Sequence, residues 1–411
     1  MTFLYNTGII FYSLFVKLAV PFSGKAKLFV DGRKNWAIQL QEKIEKDSKY
    51  IWVHCASLGE FEQGRPLIEA IKKQFPVYKI ILSFYSPSGY EIRKNYPLAD
   101  VVCYLPADTK KNAERFIQII KPEKVFFIKY EFWFYYINEL KEKQIPLYSV
   151  SAIFREKQQF FRNTGWGKWY RKILSGFDHF FVQDGSSAQL LKSIGINNFT
   201  IAGDTRFDRV AEIAKNAKPV PLVEKFRGNA QLVVAGSTWK PDEELLSAFI
   251  NQNPEVKFII APHEVSSVNI NRLSQLLKTK AILLSKANEI TVGNFQVLII
   301  DSIGLLSSLY RYGEIAYIGG GFGVGIHNIL EAATFGLPII FGPNYKKFKE
   351  AVDLINLGGA FPVTKQEELL RVLDKLIKEK IYREKTSKVS ENYVHKNIGS
   401  TQLIIKKVFN N

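Results

Sequence analysis

Cysteine is nearly absent from this chain of 411 residues, which contains only Cys55 and Cys103. Two cysteines so far apart in the sequence form neither a disulfide framework nor a metal-binding cluster. The sequence also lacks Arg-Gly-Gly repeats, zinc-finger spacing and long blocks of lysine or arginine, so we do not expect it to bind nucleic acid. The scarcity of cysteine favours a protein of a reducing, cytoplasmic compartment.

The composition is that of a folded protein with more than one domain. Hydrophobic residues make up 46% of the chain and charged residues 23%, which excludes a disordered chain, a coiled-coil rod and a polytopic membrane protein. At ~150 residues per domain, the length predicts two domains. The net charge is +17, and this basic excess favours anionic partners such as phosphates or lipid headgroups.

Residues 1–22 form an almost wholly apolar segment in which Lys17 is the only charged side chain. Its length of about 20 residues is that of one bilayer-spanning helix. It lacks the basic start and the cleavage motif of a secretory signal. Basic residues follow it, so the positive-inside rule predicts that the remaining chain stays in the cytoplasm. We predict a membrane anchor that spans the bilayer or lies in its interface; a helix packed on the globular body is the alternative.

Strand-like and helix-like segments alternate after Trp36. The β-rich run 50–55 is followed by a helical pattern over 61–75 and by a second strand over 79–84. Such alternation predicts parallel, doubly wound α/β sheets. The pattern restarts after a proline-containing linker at 217–221, which predicts a second sheet.

The predicted architecture is GT-B, in which two Rossmann-like domains face each other across a cleft. Ligands of such sheets bind at the carboxyl ends of the strands, although a fold alone does not define a function. The predicted organisation is a membrane anchor over 1–22, an N-terminal acceptor-binding domain over 35–215, a C-terminal nucleotide-sugar-binding domain over 222–381 and a C-terminal helix over 382–411.

The first candidate site lies where the strand 50–55 ends. A tight turn and a helix start follow, which places Glu60 at the carboxyl edge of the predicted sheet. A carboxylate there could accept a proton from a substrate hydroxyl. However, Ser57 and Glu60 also have the spacing of a capping box, in which Glu60 only caps its own helix. The spacing leaves both interpretations open, and we interpret His54 and Cys55 as core or cleft-wall residues.

The second candidate site is the glycine-rich loop 319–325, which follows a predicted strand and precedes a predicted helix. Glycines let backbone N–H groups approach a phosphate, and a helix N-terminus adds partial positive charge. We expect Asn328 to cap that helix and Glu331 to accept hydrogen bonds from ribose hydroxyls. A structural glycine turn without a ligand is the alternative.

Three shorter segments of the same predicted domain also follow strands, and Ser302 in one of them is a plausible helix cap. Each alone is typical of a capped loop, but together they would surround one sheet edge with hydrogen-bond donors, as a nucleotide site requires. No metal-ligand spacing is present. The candidate nucleotide-binding residues are Ser237, Thr238, Pro262, His263, Ile303, Gly304 and Leu305, with Asn328, Ile329, Leu330 and Glu331.

Residues 151–176 combine six basic side chains with six aromatic ones and a single acid, Glu156. Interleaved basic and aromatic residues suit a lipid headgroup surface that carries phosphates. An ordinary solvated face is the alternative.

These motifs, in this order, resemble the 3-deoxy-D-manno-octulosonic acid (Kdo) transferases of lipopolysaccharide assembly, glycosyltransferase family 30. The family motif H-x-x-S-x-G-E is matched by His54–Glu60. The motif G-G-H-N-P-L-E is similar to Gly325–Glu331, and G-P-x-x-x-N-F is similar to residues 342–348. The resemblance extends from the apolar N-terminus to about Phe361.

The chain departs from the family pattern at several positions. The usual E-T-E-L-W is Lys129 to Trp133 here, so that a lysine replaces the first carboxylate and Glu131 retains the second. Arg206 stands where a lysine is common. The family's N-A-R-L-S is replaced by residues 151–155, and P-R-H-P-E is shortened to 262–264.

The resemblance implies an inverting, metal-independent transfer of Kdo from CMP-Kdo to a lipid A precursor of the lipid IVA type. It implies no cofactor and a location at the cytoplasmic face of the inner membrane of a Gram-negative cell. Glu60 would be the general base, and Glu131, Lys129 and Arg206 the other catalytic residues. Two alternatives remain open: a membrane-associated GT-B enzyme that uses a UDP-sugar, and a non-catalytic module that binds a nucleotide or lipid.

Overall fold

The computed structural model describes residues 1–410, which divide into two compact units. The first unit contains Met1–Arg209 and the segment from Gly399 onward, and the second contains Val210–Ile398. Each unit has one seven-stranded sheet in which every pair of neighbouring strands is parallel. The predicted pair of parallel α/β domains is thereby confirmed.

The first unit alternates strands and helices as predicted. Its strands are β1 Lys49–Cys55, β2 Tyr78–Phe84, β3 Val101–Tyr104, β4 Pro122–Ile128, β5 Leu147–Ala152, β6 His179–Val182 and β7 Phe199–Ile201. Its helices before the second unit are α1 Thr2–Leu18, α2 Gly24–Asp31, α3 Trp36–Lys43, α4 Leu58–Gln74, α5 Pro87–Arg93, α6 Lys110–Ile120, α7 Phe134–Glu142, α8 Gly165–Leu174 and α9 Gly185–Ser193. Helix α10, Arg206–Asn216, begins in the first unit and ends in the second.

The strand order of the first sheet is β3-β2-β1-β4-β5-β6-β7. Helices cover both faces of a doubly wound parallel sheet, and its strands are therefore continuous apolar runs. In β1, Trp52 packs with Phe116 and Phe127 on one face, while Val53 packs with Phe61 on the other. The order reverses between β1 and β4, so their carboxyl ends form the switch point where such sheets bind ligands.

The second unit repeats this plan with a different strand order, β10-β11-β9-β8-β12-β13-β14. Its strands are β8 Leu232–Thr238, β9 Lys257–Pro262, β10 Ala281–Leu283, β11 Val297–Ile299, β12 Ile315–Ile318, β13 Ile339–Phe341 and β14 Ala360–Pro362. Its helices are α11 Pro221–Arg227, α12 Lys240–Ile250, α13 Ser267–Leu276, α14 Leu306–Leu309, α15 Leu330–Ala333, α16 Lys349–Leu357, α17 Gln366–Lys378 and α18 Lys380–Asn397. The switch point here lies between β8 and β12.

The apolar N-terminus forms α1, a helix of 17 residues with no buried side chain. Among residues 1–410, no helix has the length and apolar character needed to cross a membrane. One side of α1 contacts the rest of the first unit. The Tyr5 hydroxyl donates to the Asp108 carboxylate, and the Tyr135 hydroxyl donates to Asn6. The opposite side, which includes Phe11 and Phe15, is exposed.

The segment 382–411, predicted as a single C-terminal helix, contains the end of α18 and a second helix, α19 Ser400–Phe409. The helices are separated at Gly399, whose φ of 114° lies in the left-handed region that favours glycine. The Asp208 carboxylate accepts the N–H groups of Gly399 and Thr401 at 2.6 Å each and thus caps α19. Helix α19 then packs on α4 of the first unit, with Phe409 stacked on Phe75.

Candidate active site

The switch point of the first sheet brings two carboxylates together. Glu60 lies in the first turn of α4, directly after β1, and Glu131 lies in the loop directly after β4. Strands β1 and β4 are hydrogen-bonded neighbours, so both side chains are at the same edge of the sheet. The position of Glu60 at the carboxyl edge is therefore the one expected from the sequence.

Glu60 also forms the predicted capping box, since its carboxylate accepts the Ser57 N–H at 3.1 Å. The two interpretations of this residue are compatible because capping occupies one carboxylate oxygen. Burial, followed by the negative charge of Glu131, raises the pKa of Glu60 to about 7, although Lys129 and backbone hydrogen bonds act in the opposite direction. A carboxylate with this pKa can accept a proton near neutral pH.

Glu131 is buried and held by two nitrogens on one oxygen. Its Oε2 lies 3.0 Å from Nε2 of His54 and accepts the indole N–H of Trp133 at 2.5 Å. His54, interpreted from the sequence as a core or cleft-wall residue, is completely buried and contacts Glu131. No motif spacing links His54 to Glu131, because they are 77 positions apart.

Backbone strain marks the same edge of the sheet. Lys129 has a φ of 68° and Ser151 a φ of 52°, values that non-glycine residues adopt at a cost. Lys129 directly follows β4, and Ser151 is the penultimate residue of the neighbouring strand β5. In the second unit, Ser237 near the end of β8 has a φ of 52°. Unfavourable backbone conformations retained at strand ends are typical of functional sites.

Arg206 is held rigidly at the start of α10. Its guanidinium contacts Oδ2 of the buried Asp204 through Nε at 3.0 Å and Nη2 at 2.9 Å. Burial raises the pKa of Asp204, but the charge and hydrogen bonds of Arg206 outweigh burial and lower it overall. Gln63, on the helix that begins near Glu60, also donates to Asp204 at 3.0 Å. Arg206 is therefore tied to the helix that carries Glu60.

The switch point of the second sheet carries three stacked rings. The His263 ring lies 4.6 Å from the Trp239 ring and 4.3 Å from the His327 ring. Burial and the neighbouring His263 lower the pKa of His327 to about 4. His327 is consequently neutral at pH 7, and its Nε2 accepts the indole N–H of Trp239 at 3.1 Å. The stack joins loops that follow β8, β9 and β12.

Close packing against neighbouring backbone explains why two positions of the 319–325 loop are glycine. A Cβ on Gly319 would lie 2.2 Å from the Ser237 carbonyl oxygen, and a Cβ on Gly321 would lie 2.6 Å from the Gly342 backbone. The buried Asp242 fastens this loop, because its carboxylate accepts the N–H of Gly320 at 3.0 Å and the N–H of Trp239 at 2.9 Å. Close backbone contacts thus account for Gly319 and Gly321 without a phosphate.

The helix after this loop is much shorter than expected. Helix α15 has four residues, Leu330–Ala333, so few peptide dipoles are aligned and the helix dipole contributes less positive charge at its N-terminus than a long helix would. Asn328 accepts the Leu330 N–H at 3.1 Å and donates to Glu331 at 3.2 Å. The charge of Glu331 also contributes, after burial, to the raised pKa of Tyr310, whose hydroxyl lies against Gly236 at the end of β8.

The remaining nucleotide candidates occupy two neighbouring strand ends. Thr238 and Pro262 end β8 and β9, and the His263 N–H donates to the Thr238 carbonyl at 2.9 Å. Ile303, Gly304 and Leu305 form the loop after β11, in which Ile303 is almost fully exposed. Helix α14 begins at Leu306 without a side-chain cap, so the expected capping by Ser302 is wrong. Within residues 1–410, no group of three or more His, Cys, Asp or Glu side chains is arranged to hold a metal.

Comparison with solved structures identifies the fold. UDP-GlcNAc 2-epimerase from Neisseria meningitidis, bound to UDP-GlcNAc, superposes with a TM-score of 0.61 at 16% identity, covering 88% of this chain and 100% of that one. A putative UDP-N-acetylglucosamine 2-epimerase from Listeria monocytogenes gives a TM-score of 0.59 at 12% identity, covering 88% and 96%. At these identities the likeness shows only a GT-B-like pair of α/β domains.

Comparison by sequence identifies the family. Residues 33–209 match the family model described as 3-deoxy-D-manno-octulosonic-acid transferase (kdotransferase). The chain is 30% identical to the 3-deoxy-D-manno-octulosonic acid transferase of Rickettsia bellii, over 82% of this chain and 81% of that protein. It is 26% identical to the enzyme of the same name from Aquifex aeolicus, over 87% and 95%. The chain therefore belongs to the 3-deoxy-D-manno-octulosonic acid transferases, which are glycosyltransferases.

Proposed function

We propose that this enzyme transfers Kdo from CMP-Kdo to a lipid A precursor of the lipid IVA type in lipopolysaccharide biosynthesis, with inversion at the anomeric carbon. One observation carries the proposal: Glu60, with a pKa of about 7, lies beside Glu131 at the switch point of the first sheet. A general base in such a position can activate a hydroxyl at neutral pH.

In the proposed step, Glu60 removes the proton from a primary hydroxyl of the acceptor. The hydroxyl oxygen forms a bond to the anomeric carbon of Kdo, and the bond from that carbon to the CMP phosphate oxygen breaks. The proton ends on Glu60, and CMP leaves with the bonding electron pair. Arg206 and Lys129 supply positive charge for the negative charge that develops, and the arginine remains charged at any working pH.

The second unit supplies the proposed CMP site. The stack of Trp239, His263 and His327 offers aromatic faces near Asn328 and Glu331 at the switch point between β8 and β12. Carboxylate oxygens are suited to accept hydrogen bonds from ribose hydroxyls. Titration of the complete enzyme with CMP and with UDP tests this assignment. We expect tight binding of CMP and weak binding of UDP; the reverse preference would contradict CMP-Kdo as the donor.

Replacing Glu331 with alanine is expected to weaken CMP binding. A hydrogen bond to a charged group contributes about 1.5–3 kcal/mol, so the dissociation constant of CMP should rise about 10- to 100-fold. Isothermal titration calorimetry measures the change. The control is Glu367→Ala, which removes an exposed carboxylate at the start of α17 and should leave CMP affinity unchanged. Unchanged affinity in Glu331→Ala would limit that carboxylate to a structural role.

We also infer that α1 attaches the enzyme to the cytoplasmic face of the inner membrane. Its exposed apolar side chains recur at helical spacing: Phe3, Ile10, Phe11, Leu14, Phe15 and Leu18. Such a stripe on an interfacial helix inserts its apolar face at the boundary of headgroups and acyl chains. The N-terminal end of α1 contacts α8 through Tyr5 and Trp169, and the basic residues of α8 suit anionic headgroups.

The double variant Phe11→Asp, Phe15→Asp is expected to lose most of its binding to anionic phospholipid vesicles. The two side chains are 65% and 72% exposed, so the variant should fold normally. Loss of two aromatic insertions of about 1 kcal/mol or more each should lower the partition coefficient at least about 10-fold. Vesicle flotation measures this coefficient. The matched control is Ile290→Asp, Ile381→Asp, which charges two exposed apolar positions of the second unit. Equal flotation of both variants would contradict the attachment by α1.

A further inference from the structure

The buried side chains behind Glu131 form a continuous chain of hydrogen bonds. The Trp52 indole N–H donates to Oγ of Ser83 at 2.7 Å. Ser83 Oγ lies 2.8 Å from Nδ1 of His54, and Nε2 of His54 lies 3.0 Å from Glu131. Trp52, Ser83 and His54 are all completely buried. The proposed function uses only the last member, Glu131.

The donor chemistry of each group, together with the shorter contacts of His54, indicates the direction of the hydrogen bonds in this chain. An indole N–H can only donate, so the Ser83 oxygen accepts from Trp52 and retains its own proton to donate to Nδ1 of His54. A neutral imidazole that accepts at Nδ1 carries its proton at Nε2, which then donates to the Glu131 carboxylate. In the other tautomer, Nδ1 would donate to the Ser83 carbonyl oxygen and Nε2 would accept the Trp133 indole N–H, each at 3.1 Å. The contacts of Nδ1 with Ser83 Oγ at 2.8 Å and of the Trp133 N–H with Glu131 at 2.5 Å are shorter, and that tautomer would also direct the lone pair of Nε2 at a carboxylate oxygen 3.0 Å away.

We propose that His54 is the positioning residue for Glu131, and that Ser83 selects the imidazole tautomer that performs this role. The inference rests on the proposed function in that it assigns Glu131 to the reacting site. His54 and Trp133 donate to the same carboxylate oxygen, and together they fix its orientation.

The position of Glu131 also affects the pKa of Glu60, the proposed general base. The charged and titratable groups around Glu131 are Glu60 from α4, Lys129 from its own loop and Cys55 from the end of β1. An ionised Glu131 is one cause of the raised pKa of Glu60. Without His54, the Glu131 side chain is no longer fixed in this position, so its effect on the pKa of Glu60 weakens. The acidic limb of the pH–rate profile should then move to lower pH.

Kinetics of the complete enzyme with detergent-solubilised acceptor test the role. We expect His54→Leu to lower kcat about 10- to 100-fold, because misplacement of a reacting group is costly, while both KM values stay unchanged. His54→Gln retains an N–H near the Nε2 position and should restore most of kcat. Wild-type kcat and an unmoved pH profile in a folded His54→Leu protein would overturn the proposal.

Nitrogen NMR of histidine-labelled protein tests the tautomer without using activity. The chain has 5 histidines, and loss of one signal in His54→Leu assigns His54. In Ser83→Ala, Nδ1 keeps one acceptor, the Ser83 carbonyl at 3.1 Å. We therefore expect the proton to move from Nε2 to Nδ1 and kcat to fall. The matched control is Ser149→Ala, which changes another buried serine of the same sheet. In this variant the position of the His54 proton and kcat should both remain as in the wild type.

Kdo transfer and the nitrogen NMR spectra test the proposed function and the role of His54 separately. If the wild-type enzyme transfers no Kdo, the proposed function fails, while the NMR spectra still decide whether His54 donates to Glu131. A wild-type His54 with its proton on Nδ1, or a Ser83→Ala protein that keeps it on Nε2, would overturn the selection of the tautomer by Ser83.

Discussion

Glu60→Gln is expected to lower kcat by about 10²–10⁴-fold, the usual contribution of a general base. Glutamine has the same shape and can still accept the Ser57 N–H, so the helix cap is preserved. The loss should therefore lie in proton transfer and leave binding of CMP intact. Single-turnover kinetics with saturating donor and acceptor measure it directly.

The same substitution should stabilise the protein at neutral and alkaline pH. The pKa of Glu60 is about 7 in the folded protein against an ordinary value of 4.5, so folding favours the protonated form. That stabilisation is complete below the unfolded value and is lost as pH rises through about 7. Glutamine remains uncharged, so Glu60→Gln should be more stable than wild type at pH 8 by about 1–3 kcal/mol, and close to it at pH 4.

Two observations would contradict this account of Glu60. The wild-type rate should rise with pH through about 7, because only ionised Glu60 accepts a proton; a profile without this limb would argue against the base. The matched control is Glu62→Gln, which changes the next carboxylate on α4 and its ion pair with Arg93. Equal losses of kcat in both variants would show that charge near α4, and not proton transfer, limits the rate.

Arg206→Gln is expected to lower kcat by about 10²–10³-fold, as removal of one preorganised group that stabilises developing charge does. Its two contacts with Asp204 hold the guanidinium in place before substrate binds. The substitution also leaves the buried Asp204 without its cation, which should reduce stability. Arg206→Lys keeps a cation and should lose much less activity. Steady-state kinetics with thermal unfolding of each variant separate the two effects.

Arg209→Gln is the matched control for Arg206. Arg209 lies one turn further along α10 and forms an ion pair with Glu69 at 3.3 Å. It has the same charge and a similar exposure, so a general loss of positive charge would affect both variants equally. We expect near-normal kcat for Arg209→Gln. Comparable losses in the two proteins would contradict a specific role for Arg206.

The parallel α/β plan could be predicted because buried strands leave a strong signal. The run of residues 50–55 is apolar on both faces, and the turn, cap and helix after it are local features. The position of Glu60 follows from these features. The strand orders could not be predicted, because parallel strands pair across long connections that leave no local pattern.

The site beyond Glu60 depended on contacts between distant positions. His54 and Glu131 meet because β1 and β4 are neighbours, which no spacing in the sequence reveals. The sequence does contain a signal for one role of Asp242. It is the third helical residue after Trp239, the position from which a carboxylate caps the start of a helix. Its second role, acceptance of the Gly320 N–H, depends on tertiary structure.

The glycine-rich loop shows how one pattern can have two physical causes. Glycines are required wherever another backbone approaches closely, and Ser237 and Gly342 are such neighbours here. The same composition suits phosphate binding, so the sequence does not distinguish the two. The length of α15 was overestimated because Ala332, Ala333 and Phe335 are compatible with a helix, whereas Gly336 adopts a left-handed φ of 69° immediately afterwards.

Mass spectrometry of a tetraacylated lipid A precursor, incubated with CMP-Kdo and either the wild-type enzyme or Glu60→Gln, tests the donor and the base in one experiment. We expect a gain of one or more Kdo units with the wild type and almost none with the folded variant. The number of units added would be read from the same spectrum. No gain with CMP-Kdo from an enzyme that modifies the acceptor with a UDP-sugar would contradict the proposed donor, and equal gain with both proteins would contradict Glu60 as the base.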